Sequence, residues 1–162
     1  VLTIPTTPET TSGPSSASTT TTNSGAPDAA ALRDYLAFWD MYIELGGTPP
    51  PFDLAKIRPR LDELTTGAET AQLLDFLQTN AGTGLVLRGD IDHSPAIASI
   101  QGDTAVVRDC LLDRTGIYRV ADGSRVDTET TDRKTYVATL RSDESGRWRV
   151  ETISTEEGSC EP

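Results

Sequence analysis

The sequence predicts an α+β domain in which helices come first and an antiparallel sheet follows them. Three observations carry this. Up to about residue 83 the apolar residues recur at helical spacing. From Gly84 onward they alternate at strand spacing. Residues 1–27 follow neither period: Thr, Ser and Pro fill 18 of these 27 positions, Glu9 is the only charge, and no residue is aromatic.

Such a segment cannot bury enough apolar surface to offset its ordering entropy. Residues 1–27 are therefore expected to form a disordered Thr/Ser/Pro-rich arm, and residues 28–162 the folded domain. Thr-rich tracts with Pro are typical of extracellular stalks, often O-glycosylated; a bare flexible linker is the plainer alternative. The arm reads as a spacer from a membrane anchor upstream. The chain opens Val1-Leu2-Thr3-Ile4-Pro5, with neither an initiator Met nor a signal peptide. Either an upstream segment has been removed or the chain starts at another residue. No Asn-x-Ser/Thr sequon occurs, so N-glycosylation is not expected.

The domain is expected to open at Asp28, an N-cap directly after Pro27. Leu32, Tyr35, Leu36, Trp39, Tyr42 and Ile43 then form a helical stripe, which Phe38, Met41 and Leu45 widen until most of the helix must be covered by protein. Gly46-Gly47 ends it, and Pro49 to Pro51 make a rigid connection. A second helix starts near Asp53 and is expected to break or kink at Pro59. Gly67 separates a third, with Leu73, Leu74, Phe76 and Leu77 on its buried side.

Residues 85–100 read as one or two strands, and Pro95 marks an edge or a bulge. Gly102-Asp103 turns the chain into a strand over Thr104–Asp113, and Asp122-Gly123 is a hairpin-type turn. Lys134–Arg141 alternates Tyr136, Ala138 and Leu140 with polar residues. After Ser145-Gly146, Trp148 and Val150 point the same way along a final strand, Arg147–Ile153.

A net charge of −11 over 162 residues argues against a nucleic-acid partner and against a basic membrane-binding patch. No apolar run approaches the ~18 residues needed to span a bilayer, so no transmembrane segment is expected in these residues. The two cysteines, Cys110 and Cys160, are either paired, as the exported character of the chain favours, or two separate reduced thiols.

Several local patterns together carry a family resemblance. They are the aromatic helix Tyr35…Trp39…Tyr42, the helix opening Thr66-Gly67-Ala68, and Arg88-Gly89 ahead of a strand. Val107-Arg108-Asp109-Cys110 with Asp113 close behind, the strand Gly146-Arg147-Trp148-Arg149-Val150, and the late Cys160 complete the set. Over residues 28–160 the chain resembles the exported NTF2-like (cystatin-like α+β) proteins of actinobacterial cell envelopes, many of them lipoproteins or membrane-anchored. The resemblance implies three helices on a strongly curved antiparallel sheet, a cone with a pocket inside, and a Cys110–Cys160 link. It implies no reaction. No lipobox Cys stands near the start of the chain, so it does not fix the mode of anchoring.

His93, the only histidine, sits beside Asp90 and Asp92 in a pattern that superficially suggests metal ligands. On a strand the two aspartates share one face and His93 takes the other, so a polar strand-edge cluster is the better reading. Cys110 stands among Asp109 and Asp113, which disfavour a thiolate, and reads as a half-cystine and not as a nucleophile. Asp109 and Tyr136 are the weak catalytic candidates, because ketosteroid isomerase sets an Asp base against a Tyr donor in such a cone. Their plainer roles are a backbone or Arg contact for Asp109 and core packing for Tyr136. Trp39, Tyr42 and Trp148 are the pocket candidates, with ordinary core packing as the alternative. Asp127, Glu129 and Asp132 with Arg125, Arg133 and Lys134 read as a solvated hairpin. No phosphate-cradling Gly loop, zinc Cys pattern or dinucleotide fingerprint points to a cofactor or metal.

The expectation is a non-catalytic extracytoplasmic binding or assembly module, tethered to the cell envelope by its stalk. Its partner would be an envelope protein or a hydrophobic small molecule. The alternatives are a small isomerase- or dehydratase-like enzyme acting on an apolar substrate in the cone, and a purely structural spacer.

Overall fold

The computed structural model describes residues 26–129 and 132–161. The arm expected over residues 1–27 lies outside the described residues except for its last two. Helix α1 spans Ala26–Gly46, opening two residues before the expected N-cap. Asp28 therefore sits within the first turn, where its carboxylate opposes the positive end of the helix dipole. Ala31, Tyr35, Phe38, Met41 and Leu45 are all buried, as the wide apolar stripe requires.

Helix α2, Leu54–Leu64, runs through Pro59 without breaking. Pro59 removes one backbone donor, a loss of about 3 kcal/mol in a helix interior. Burial of Ile57 and Leu61 on either side contributes about 1.5–3 kcal/mol each, and Asp53 caps the helix by accepting from the Ala55 N–H at 3.1 Å. Helix α3, Gly67–Thr83, opens after Thr66 and buries Leu73 and Leu77, with Leu74 and Phe76 half-buried.

The segment after α3 divides into three strands, β1 (Leu85–Arg88), β2 (Ile91–Asp92) and β3 (Pro95–Gln101), where one or two were expected. The break between β1 and β2 falls at Gly89, whose φ is +118° and where a Cβ would lie 2.4 Å from the Arg114 carbonyl oxygen. Strands β4 (Thr104–Asp113), β5 (Gly116–Arg119), β6 (Lys134–Ser142) and β7 (Trp148–Ser159) follow. β1 and β5 pair as a separate ribbon, and the turn after β5 falls at Asp122-Gly123 as expected. In the main sheet β6 lies between β4 and β7, while β3 and β2 occupy successive stretches of the far side of β4. Pro95 thus opens an edge strand, and a register shift between Ile97 and Ser99 adds the bulge.

Further register shifts fall between Lys134 and Tyr136 and between Thr139 and Leu140. Such irregularities bend a sheet, and here they help form a concave wall against which the helices pack. The architecture is the α+β cone that the resemblance implies. Strict alternation along β4 puts Ala105, Val107, Asp109 and Leu111 in one fully buried row, joined by Ala138 and Leu140 of β6 and Val150 of β7. Cys110, on the opposite face, is bonded to Cys160 with a Cα–Cα distance of 5.8 Å. Strands that flank a common neighbour stand about 9–10 Å apart. The chain end beyond β7 therefore folds over the start of β6 to reach β4.

Candidate functional site

The sequence places aromatic residues on successive turns of α1, and the fold turns them toward the concave face of the sheet. Trp39 is the hub. Phe38, Tyr42 and Tyr136 stand nearly edge-on to its indole, at centroid distances of 5.3, 5.5 and 5.8 Å. Beside these rings lies a recess of about 230 Å³, completed by Glu69 and Gln72 of α3, Asp113 at the end of β4, and Ile153 of β7. Two of its lining groups are carboxylates, and none is a lysine or arginine.

Behind the rings Asp109 is fully buried in the core row of β4. A carboxylate there needs donors on both oxygens, and three are supplied. Tyr35 Oη donates to Oδ2 at 3.0 Å, His93 Nδ1 donates to the same oxygen at 2.5 Å, and the Ser94 N–H donates to Oδ1 at 2.7 Å. An ionised carboxylate only accepts, which assigns the His93 hydrogen to Nδ1. The imidazole packs against Trp39, 5.7 Å away between centroids, and also lines a second cavity of about 300 Å³ with Asp40, Ile43, Gly89 and Ile91.

Burial sets the electrostatics of the recess. Tyr35, Tyr42 and Tyr136 are all pushed above the ordinary phenol range, first by desolvation and then by nearby carboxylates, Asp109 for Tyr35 and Asp113 for the other two. They remain neutral donors at physiological pH. Glu69, only 9% exposed, is also pushed upward by burial, which the Ile153 backbone amide partly counters.

That shift predicts a pH dependence of stability. A carboxyl whose folded pKa is raised stabilises the fold fully below its unfolded pKa, and this contribution is lost as pH rises through the folded value. Urea midpoints of wild type and Glu69→Gln are therefore expected to diverge in the variant's favour as pH rises above the ordinary glutamate range. A gap independent of pH would show that Glu69 ionises like an exposed glutamate.

The residues singled out in the sequence fall as follows. Trp39 and Tyr42 line the recess, and Tyr136 joins them there. Trp148 does not. It is buried at the start of β7, five residues before Ile153, or about 16 Å along an extended strand, and its backbone N–H donates to Asp34 Oδ2 at 2.9 Å. Asp109 and Tyr136 are cross-strand neighbours on one face, but the tyrosine bonded to Asp109 is Tyr35. The Asp90–Asp92–His93 group disperses to three partners: Asp90 to Arg114, Asp92 to Arg133 and His93 to Asp109. Arg133 is only part of a solvated hairpin in sequence terms; in the fold it also donates to the Cys110 carbonyl at 3.1 Å. Glu69 and Asp113 in the recess, and Tyr35 and His93 on Asp109 behind it, carry no sequence signal of those places. Only the pairing of Pro95 with Asp109 could have brought His93 to that carboxylate.

No protein-family model matches the chain, and no curated protein matches it in sequence. Among solved structures it is similar to the intermembrane space region of the chloroplast protein ARC6, with a TM-score of 0.53 and 16% identity over 76% of this chain and 94% of that one. It also aligns with ActVI-ORFA of Streptomyces coelicolor, with a TM-score of 0.49 and 12% identity over 80% of this chain and 98% of that one. The first likeness shows a shared fold; at such identity it carries no function with it. Among the described residues no helix is long and apolar enough to cross a membrane.

Proposed function

We propose that the chain is a non-catalytic, extracytoplasmic binding module, tethered to the cell envelope by its arm, and that the recess between α1, α3 and the sheet takes a small molecule. One observation carries the reading: aromatic rings and two carboxylates together line one concavity of about 230 Å³. The extracytoplasmic placement draws support from the Cys110–Cys160 bond and the composition of residues 1–27.

The test is a native mass spectrum of protein taken from its own cells, beside a denatured spectrum of the same sample. A discrete small-molecule mass present only in the native spectrum is expected. Equal masses would overturn the small-molecule reading and favour a surface that engages an envelope protein.

A catalytic reading, isomerase- or dehydratase-like, has one observation in its favour. The carboxylate of Asp109 holds the His93 ring by Nδ1, an arrangement that suits the other nitrogen to general-base work. Asp109 itself, with no exposed surface, is out of reach of a substrate. If the recovered molecule is chemically changed by wild type and unchanged by a folded His93→Gln variant, the catalytic reading replaces the binding one.

A further inference from the structure

Resting on that reading of the recess as a binding site, we propose that its ligand is a small organic cation, an alkylated ammonium group, and not a neutral apolar molecule. Phe38, Trp39, Tyr42 and Tyr136 supply the rings, and Trp39 meets the other three at angles of 73°, 85° and 83°. All four rings line the recess, and Tyr42 is also stacked on Phe76, with centroids 5.5 Å apart. The negative face of an aromatic ring attracts a cation within about 6 Å, most strongly where water is excluded. A neutral ligand would gain only contact area from the same rings.

The carboxylates point the same way. Glu69 is nine-tenths buried beside the recess, and among the described residues it has no cationic partner. Burying a carboxyl without a counter-charge is unfavourable, and a ligand cation would supply the missing partner. Asp113 is held at the rim through Oδ1, which accepts from the Thr115 N–H at 2.8 Å and the Thr115 hydroxyl at 2.6 Å. Its charge is felt by both Tyr42 and Tyr136, which places it within range of the same space. A net charge of −11 draws cations toward the protein as a whole. The recess, at about 230 Å³, falls below the range of ~300–1,000 Å³ typical of sites for drug-sized ligands, so a headgroup fits better than a sterol or an acyl chain.

Two probes of nearly the same shape separate charge from bulk: choline, and 3,3-dimethylbutan-1-ol, in which a carbon replaces the quaternary nitrogen. Calorimetric titration of the intact chain is expected to give choline an affinity at least about tenfold above that of the alcohol. Glu69→Gln should remove most of that difference without weakening the alcohol. Tyr42→Leu, which keeps apolar bulk but removes a ring face, should do the same and provides a second variant if the first folds poorly. Equal affinities for the two probes would overturn the cation inference while leaving the recess a binding site for neutral molecules. Binding of neither overturns the cation inference outright, and the native mass spectrum then decides separately whether the recess holds anything.

Discussion

Asp109→Ala is expected to lower the free energy of unfolding by about 3–5 kcal/mol, the range for breaking a buried charged network from one side. The carboxylate is the only charged member of a buried row that otherwise reads Ala105, Val107 and Leu111. Its removal leaves the Tyr35 hydroxyl, the His93 Nδ1–H and the Ser94 N–H without their acceptor. A buried donor so abandoned costs about 1–3 kcal/mol, and a cavity forms as well. A companion variant separates the network from the volume. Asp109→Leu combined with Tyr35→Phe replaces the two ends of the network's longest-range bond, Tyr35 to Asp109, with apolar groups and should recover part of the loss, because satisfied apolar packing can match a buried polar pair. Urea midpoints with unchanged slopes give both values. A loss below about 1 kcal/mol for Asp109→Ala would show that the carboxylate is dispensable to the fold.

The second large effect belongs to the disulfide. Replacing Cys110 and Cys160 together by alanine is expected to lower stability by about 4 kcal/mol at most, the chain-entropy value for a closed loop of roughly 50 residues. The location of the bond adds a specific expectation. It fastens the chain end, beyond the last pair of β7 with β6, onto β4. Its loss should therefore free amide hydrogen exchange first over residues 155–161, while the row of Ala105 to Leu111 remains protected until global unfolding. Uniform loss of protection along the whole chain would show that the bond organises the sheet instead of fastening its end.

Much of this fold was legible in the sequence because its signals are local. The stripe of Tyr35, Phe38, Trp39, Met41 and Leu45 forces a covered helix, and the alternation of Tyr136, Ala138 and Leu140 forces a strand with one core face. Pro95 was readable as an edge or bulge since a missing donor is tolerated only there. Of the two outcomes expected at Pro59, a break or a kink, the break does not occur: the local penalty is real, but the tertiary burial of Ile57 and Leu61 offsets it.

The site was half legible. Trp39 and Tyr42 stood out as large aromatics on an inward stripe, but Trp148 has the same chemistry and lies elsewhere, because distance along β7 separates it from the recess. Glu69 reads as an ordinary acidic residue in a helix's first turn, and only the packing of α3 against β7 buries it. His93 and Tyr35 meet at Asp109 from positions 16 and 74 residues away. No spacing rule encodes that meeting; it follows from the register of β3 on β4 and from the docking of α1.

Small ligands are expected to enter beside Trp39, and the chain's two tryptophans allow this to be tested directly. Trp39 is the hub of the recess, while Trp148 lies in the core at the start of β7, five residues before the recess residue Ile153. The measurement is a proton NMR titration that follows the two indole N–H signals as choline, and separately 3,3-dimethylbutan-1-ol, is added. A saturable shift of the Trp39 signal by at least one probe, with the Trp148 signal fixed, is the predicted result. Two signals that both stay in place, or that drift together without saturating, would contradict the claim that the recess is a binding site.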